Sequence, residues 1–189
     1  YVQLIARRVR ENHVHSAIVG PDVGVAELRE LNAVGLIFSG GPGSVYDEGA
    51  PRCRPEILEL GVPVLGICYG MQLACQMLGG HVQASESREY GRTPLDVIDR
   101  GGLLGRVPDK TTVWMSHGDV VHEVSADFVP LATTPNCPVA AVRHKERPIY
   151  GVQFHPEVTH TPHGAQIIRN FLYEICGCTG QWQVGQVVQ

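Results

Sequence analysis

The chain has 189 residues, of which 43% are hydrophobic and 18% charged, and this balance predicts a single globular domain with a sizeable core. Its formal net charge of −4 argues against a nucleic-acid-binding protein, because such proteins usually carry a basic surplus. No apolar run approaches the roughly 20 residues that a membrane helix needs, and we expect no signal peptide. The six cysteines lack the spacing of a disulfide scaffold, which indicates free thiols, and we therefore expect a cytoplasmic protein.

Helix-like and strand-like segments alternate along the first part of the chain. The hydrophobic pattern predicts a helix around residues 4–9, a strand at 17–19, a helix at 25–31, a strand at 34–38 and a short helix at 55–60. It then predicts a strand at 62–67 and a helix at 70–78, which Gly79 and Gly80 end. The strands at 34–38 and 62–67 are continuous apolar runs, which are typical of strands that a parallel sheet buries on both faces.

The second part of the chain has a different pattern. From about residue 82 to 150 the segments are short and several alternate, which predicts a β-rich segment with antiparallel pairing at the sheet edge. A strand at 149–154 follows, and we expect Thr161 to cap a last helix that has Pro162 at its first position. The whole predicts an α/β fold with a mostly parallel open sheet flanked by helices. The apolar stripe of the last helix consists of Ile167, Ile168, Phe171, Leu172 and Ile175.

The strongest local signal is the segment Gly66–Gly70, which has the pattern Gly-x-Cys-x-Gly between a predicted strand and a predicted helix. This is the pattern of a nucleophile elbow, with Cys68 in the place of the usual serine. A tight strand-to-helix turn strains the nucleophile and projects its side chain at the helix N-terminus, where the helix dipole favours a thiolate. The alternative is a structural cysteine in a strand–helix turn, since cysteines are often simply buried.

A nucleophilic cysteine needs a base, which is usually a histidine oriented by a carboxylate. His155 follows the strand predicted at 149–154, so it lies at the same sheet edge as Cys68. Pro156 stiffens the turn, and an extended His-Pro-Glu places the carboxylate of Glu157 within reach of the imidazole. The alternative for His155 alone is a surface histidine in a loop, but the shared sheet edge favours a catalytic pair.

The glycine-rich loop at 39–44 follows another predicted strand and offers free backbone N–H groups to an oxyanion. A phosphate-binding loop is the alternative, but the Gly-Lys-Ser/Thr ending is absent, and Gly43 stands where the similar loop of ATP pyrophosphatases has an aspartate. A metal site is a further alternative for His155, His160 and His163. Prolines interrupt that segment, so the three histidines do not share a helix face, and we predict no metal site.

Together these motifs resemble the class I (triad) glutamine amidotransferases and, within that family, the amidotransferase domains of GMP synthetases. The resemblance implies an amidotransferase domain at 1–178, with the family's first strand missing, and at 179–189 the start of a linker to an absent synthetase domain. The segments that carry it are 3–10, 39–43, 66–72, 114–119, 151–158 and 176–182.

The resemblance implies a Cys-His-Glu triad in which Cys68 is the nucleophile, His155 the base and Glu157 the residue that orients it. It further implies that backbone N–H groups of Gly41 and Tyr69 form the oxyanion hole. It implies, finally, that four residues hold the ends of the substrate glutamine. These are Gly43, Gln72, Ser116 and Asp119.

The partners that the resemblance implies are glutamine and an ATP pyrophosphatase synthetase domain of the same enzyme. The ammonia released here would pass to that domain, where ATP and magnesium would activate xanthosine monophosphate (XMP), and no cofactor is expected in residues 1–178. The complete enzyme would be a homodimer, bound neither to nucleic acid nor to a membrane. Three alternatives stay open: a free-standing γ-glutamyl cysteine hydrolase, the amidotransferase subunit of another pathway, and a non-catalytic module with the same fold.

Overall fold

The structure, a computed structural model, describes residues 1–183, apart from the side chains of residues 86 and 87. Its helices are α1 (Val2–Glu11), α2 (Val25–Glu30), α3 (Tyr69–Met77) and α4 (Gly164–Arg169), with a 3₁₀ turn at Pro55–Glu59 and a π-helical turn at Asn170–Ile175. Its strands are β1 (Leu36–Phe38), β2 (Val64–Ile67), β3 (His81–Val97), β4 (Lys110–Glu123), β5 (Phe128–Thr133), β6 (Ala141–His144) and β7 (Ile149–Val152). None of the described helices is long and apolar enough to cross a membrane.

In the described part of the chain the strands form one sheet in the order β1-β2-β7-β6-β5-β3-β4. The α/β class and the β-rich middle segment are confirmed. The expectation of a mostly parallel sheet is wrong, because only the β1-β2 and β2-β7 pairs are parallel and the other four pairs are antiparallel. Short connections such as residues 145–148, between β6 and β7, can join only antiparallel neighbours.

Both faces of the parallel part of the sheet are covered by helices. Along β2, Val64 packs into the cluster that contains α3, whereas Leu65 packs into the cluster that contains α1 and α4. Both residues are fully buried, as the continuous apolar run predicts. The site at the carboxyl ends of these strands is therefore supported by a rigid core on two sides.

The strand predicted at 17–19 is absent, and residues 14–20 take an irregular path. Ile18 and Val19 are 43% and 38% exposed, since no described strand lies beside them to complete a ladder. The strand predicted at 34–38 is shorter than expected and only half-buried, because β1 lies at the edge of the sheet. A short apolar run thus forms a strand only where a neighbour pairs with it.

The last helix begins later than the sequence predicts. α4 starts at Gly164, so the expectation that Thr161 caps it is wrong. Thr161 Oγ1 instead accepts the backbone N–H of Trp114 at 3.0 Å and donates to the carbonyl of His155 at 2.7 Å. Gly164 passes so close to the carbonyl of Pro156 that a side chain there would overlap it, and this contact fixes the start of the helix.

The tail after the last helical turn lies against the segment that follows α1. Trp182 donates its backbone N–H to the carbonyl of His13 at 3.1 Å, and its ring contacts the ring of His15. Tyr173 donates its hydroxyl to the carbonyl of Asn12 at 2.5 Å. The linker expected at 179–189 is therefore packed on the domain as far as residue 183, and its remaining residues lie outside the described part of the chain.

Candidate active site

Cys68 occupies the sharp turn between β2 and α3. Its backbone angles are φ +53° and ψ −110°, a region that residues other than glycine rarely adopt. A Cβ on Gly66 would lie 2.5 Å from the backbone nitrogen of Met71, and a Cβ on Gly70 would overlap the carbonyl of Phe38. The strained elbow predicted from the sequence is present, and both flanking glycines are needed for the close approach of the chain.

The thiol of Cys68 points into a buried polar environment. Sγ lies 3.7 Å from the carbonyl oxygen of Ser116 and 3.6 Å from Nε2 of Gln153, which can donate to a sulfur acceptor. Gln153 is fully buried, and sequence reasoning missed it as a site residue although it lies two positions before His155. The thiol is thus held on one side by β4 and on the other by the strand end that carries His155.

His155 and Glu157 form a buried pair at the end of β7. Nδ1 of His155 lies 2.7 Å from Oε1 of Glu157, and the two side chains are 1% and 0% exposed. The backbone N–H of His155 donates to the carbonyl of Trp114 at 3.0 Å, which ties this loop to β4. The contact expected from an extended His-Pro-Glu is present, so the carboxylate fixes which ring nitrogen carries the proton.

The electrostatics of this pair favour a protonated imidazole. Burial lowers the pKa of His155, but hydrogen bonds with Cys68 and Glu157 and the charge of Glu157 outweigh it and raise the pKa to about 9. A protonated imidazole beside a cysteine is the usual setting of a reactive thiol. The arrangement is that of a buried nucleophile beside a buried general acid–base.

The glycine loop packs against Cys68 and His155. A Cβ on Gly40 would lie 3.0 Å from Cε1 of His155 and 3.5 Å from Cβ of Cys68, so a side chain here would press on the imidazole. A Cβ on Gly41 would lie 3.7 Å from Cγ of Tyr69. Among the described residues, neither the N–H of Gly41 nor that of Tyr69 donates a hydrogen bond, so both are available to an oxyanion. Sequence reasoning chose Gly41 and missed the close packing of Gly40.

The four residues expected to hold glutamine are only partly brought together. Nε2 of Gln72 donates to the carbonyl of Asp119 at 2.8 Å, and Ser116 contacts the thiol through its carbonyl. These three residues therefore line one wall beside Cys68. Gly43 lies apart from them on an exposed turn, where the backbone N–H of the next residue donates to Asp47.

Two residues of the first helical segment reach the site, and sequence reasoning assigned no role to either. The ring of Tyr1 stacks on the ring of His155, with centroids 4.4 Å apart. Nε of Arg8 donates to the carbonyl of Glu157 at 2.9 Å. Both contacts join residues about 150 positions apart, so no local pattern could have indicated them.

The other histidines of this region do not converge on a metal. His160 packs its ring on Trp114, with centroids 4.6 Å apart, and His163 directly precedes α4. Within residues 1–183, no group of three histidine, cysteine or carboxylate side chains is arranged to hold a metal ion.

The chain matches a known protein family and named proteins of several organisms. The model of the family described as glutamine amidotransferase class-I matches residues 1–175. A GMP synthase [glutamine-hydrolyzing] of Acetivibrio thermocellus is 48% identical over all 189 residues, and one of Parasynechococcus marenigrum is 54% identical over 183 residues, or 96% of the chain. The chain spans only 37% and 35% of the length of these two relatives.

Solved structures show the same fold. A candidate GMP synthase component from Thermoplasma acidophilum superposes with a TM-score of 0.85 at 35% identity, covering 94% of this chain and 88% of that one. A glutamine amidotransferase from Thermotoga maritima superposes with a TM-score of 0.73 at 17% identity, covering 92% of this chain and 91% of that one, and supports the fold alone.

Proposed function

Because the chain belongs to the class-I glutamine amidotransferase family, we propose that it is the glutamine-hydrolysing part of a GMP synthase. The observation that carries the proposal is the buried array of Cys68, His155 and Glu157 at the sheet edge, with a protonated histidine between thiol and carboxylate. The names of the curated relatives support the more specific assignment to GMP synthesis.

In the first half of the proposed reaction, the thiolate of Cys68 attacks the side-chain carboxamide carbon of glutamine and forms a C–S bond. The N–H groups of Gly41 and Tyr69 hold the oxyanion that develops on the carboxamide oxygen. His155 then gives its proton to the amide nitrogen, the C–N bond breaks, and ammonia leaves. The product on the enzyme is a γ-glutamyl thioester.

In the second half, His155 is neutral and takes a proton from water, which attacks the thioester carbon. The tetrahedral intermediate collapses, the C–S bond breaks, glutamate leaves, and the proton on His155 restores the starting ion pair. Glu157 keeps the proton of its neutral partner on Nδ1, so that Nε2 is free to accept. Gly43, Gln72, Ser116 and Asp119 are the proposed holders of the glutamine α-amino and α-carboxylate groups.

The whole protein would couple this reaction to a second one. Because the relatives are almost three times as long as this chain, we assign the ATP-dependent amination of XMP, with its ATP and magnesium, to an ATP pyrophosphatase domain outside residues 1–178. We propose further that the complete protein is a cytoplasmic homodimer. The six free cysteines support a reducing compartment.

The test is a glutaminase assay of the chain with and without a purified synthetase portion. We expect glutamate from glutamine in both cases, faster in the presence of the synthetase portion and its nucleotide substrates, and GMP only when that portion is present. Full activity that does not respond to the added portion would favour a free-standing γ-glutamyl hydrolase instead. No glutamate under any condition would contradict the proposed function.

A further inference from the structure

A second buried pair of a histidine and a carboxylate lies beside the catalytic one. Nε2 of His117 is 3.2 Å from Oε2 of Glu89, and these side chains are 1% and 3% exposed. Thr134 Oγ1 donates toward both oxygens of Glu89, at 2.9 and 3.1 Å, and accepts the backbone N–H of Cys137 at 3.0 Å. We refer to Glu89, His117 and Thr134 as the Glu89 network; the reaction proposed above does not use it.

A β-bulge directs Glu89 into the interior. In the pairing of β3 with β4, Ala84 lies opposite Asp119 and Glu89 lies opposite His117. Four residues of β3, at 85–88, therefore lie between these two pairs against a single residue of β4, Gly118. Bulges of this kind re-aim side chains and are frequent next to active sites. The backbone of β3 is thus irregular at the point where the side chain of Glu89 reaches His117 on β4.

The side chain of Glu89 is surrounded by the hydrogen-bonding groups of His117 and Thr134. Burial lowers the pKa of His117 by more than the neighbouring Glu89 raises it, which favours the neutral ring. Nδ1 of His117 has no hydrogen-bond partner of full geometry, but the backbone of Asp119 interacts with the ring and raises its pKa. Apolar residues of similar volume often give at least as much stability as buried charged groups, so a contribution to stability alone does not account for this arrangement.

The backbone that His117 anchors is the wall of the proposed glutamine site. The carbonyl of Ser116, on one side of His117, accepts the thiol of Cys68 at 3.7 Å. The carbonyl of Asp119, two positions after His117, accepts Nε2 of Gln72 at 2.8 Å. A shift of His117 would therefore displace both contacts at once.

We propose that Glu89 is a positioning residue for glutamine, acting through His117 to fix the β4 segment 116–119 beside Cys68. The inference rests on the proposed function, because it concerns how that site holds its substrate. Glu89 itself touches neither thiol nor substrate. Among the described residues, the side chains of His155 and Glu157 make no hydrogen bond to the Glu89 network, so its loss should weaken glutamine recognition more than it changes the reactivity of the thiol.

The experiment compares two reagents that alkylate Cys68. Iodoacetamide is small and reports the state of the thiol and of His155, whereas 6-diazo-5-oxo-norleucine has the shape of glutamine and must also be recognised by the wall at 116–119. For Glu89→Ala we expect labelling by the glutamine-shaped reagent to slow about tenfold, since buried donors lose their acceptor. We expect labelling by iodoacetamide to stay within about twofold of the wild type, and the KM for glutamine to rise more than kcat falls.

A conservative variant and a matched control separate positioning from stability. Glu89→Gln keeps a hydrogen-bonding oxygen and should restore most of the selective labelling. His144→Gln removes another buried histidine, which lies on β6 and accepts backbone N–H groups of Glu146 and Arg147 in its own turn. This control should not change the ratio of the two labelling rates. Thr134→Val, which removes only the hydroxyl, replaces Glu89→Ala if that variant does not fold.

The possible outcomes distinguish the two proposals. Selective slowing of the glutamine-shaped reagent in Glu89→Ala or Thr134→Val, with Glu89→Gln close to wild type, supports the positioning role. Equal slowing of both reagents, or no slowing of either, overturns it while the proposed function stands. If the wild-type chain reacts with iodoacetamide at Cys68 but never with the glutamine-shaped reagent, the proposed function itself fails.

Discussion

At the scale of single residues, Cys68 differs from the other thiols in its surroundings. Burial raises the pKa of Cys75 to about 12, so that thiol stays protonated and inert. Cys68→Ala should therefore lower glutaminase activity by at least about 10³-fold, as is usual when a nucleophile is lost. The fold of the variant should be unchanged. Cys75→Ala is the control and should retain activity.

The glutamine-shaped electrophile should label Cys68, and mass spectrometry that finds it mainly on Cys53 or Cys137 would contradict the assignment.

The imidazole gives a second prediction at this scale. His155→Ala should lose as much rate as Cys68→Ala, because nucleophile and base act as one unit. Glu157→Gln should lose less, since the amide still contacts the ring but no longer provides a charge.

Glu157→Gln should also shift the pH dependence. His155 must carry a proton to release ammonia, and it loses that proton as pH rises through a pKa of about 9. Glu157 raises this pKa, so its replacement should move the alkaline limb of the kcat/KM profile to lower pH. A limb that stays in place in Glu157→Gln would show that another group controls it.

At the scale of elements, α3 and β1 approach each other so closely that the contact leaves no room for a side chain between them. A Cβ on Gly70 would overlap the carbonyl of Phe38, which belongs to the backbone and cannot rotate away. Gly70→Ala should therefore lower the free energy of unfolding by about 1–3 kcal/mol, the usual range for overpacking, and reduce activity by displacing the elbow. Gly24 has open space around it, so Gly24→Ala in the same urea titration should change stability little.

The first helix offers a matched pair of arginines. Arg7 and Arg8 both pair with Glu11, at 3.0 and 2.8 Å, but only Arg8 also holds the carbonyl of Glu157. Arg8→Ala should reduce kcat by about tenfold, since a lost hydrogen bond from a charged donor is of that order, while Arg7→Ala should leave it unchanged. Equal effects of the two substitutions on kcat would indicate that only the stability of α1 matters.

The comparison of sequence and structure shows which elements can be predicted locally. The elbow and α3 follow from glycines and an apolar period within a dozen residues, and both were predicted correctly. The strand predicted at 17–19 is absent, because a strand forms only beside another strand with which it can pair. Thr161 was wrongly expected to be a cap because its hydroxyl is engaged by Trp114 and His155, 47 and 6 positions away.

The residues of the site also divide into those that a local pattern can predict and those that only long-range contacts identify. Cys68, His155 and Glu157 could be proposed because each follows a recognisable strand, and parallel strands end at one edge. Arg8, Glu89 and Gln153 could not, since their contacts with Glu157, His117 and the thiol span 149, 28 and 85 positions.

At the scale of the whole molecule, the chain should carry out only half of the proposed synthesis. The loop at 39–44 has no acidic or basic residue to bind a nucleotide phosphate and its magnesium, and its Gly40 packs against Cys68 and His155 instead. The chain alone should therefore release glutamate but form no GMP from XMP, ATP, magnesium and free ammonia. Chromatography of the nucleotides checks this, and any GMP made by the chain alone would contradict it.

Helix α1 lies between the residues of the proposed active site and the tail that contains Trp182. Tyr1, just before its first residue, stacks on His155, while Trp182 is bound beyond its other end at His13. With 10 residues the helix is about 15 Å long. The contacts of Tyr1 and Trp182 therefore lie at opposite ends of a helix of that length. In the proposed complete protein, the domain that uses the ammonia would have to reach from the Trp182 end toward the Tyr1 end, and shortening the segment after Trp182 should uncouple ammonia delivery before it affects glutamine hydrolysis.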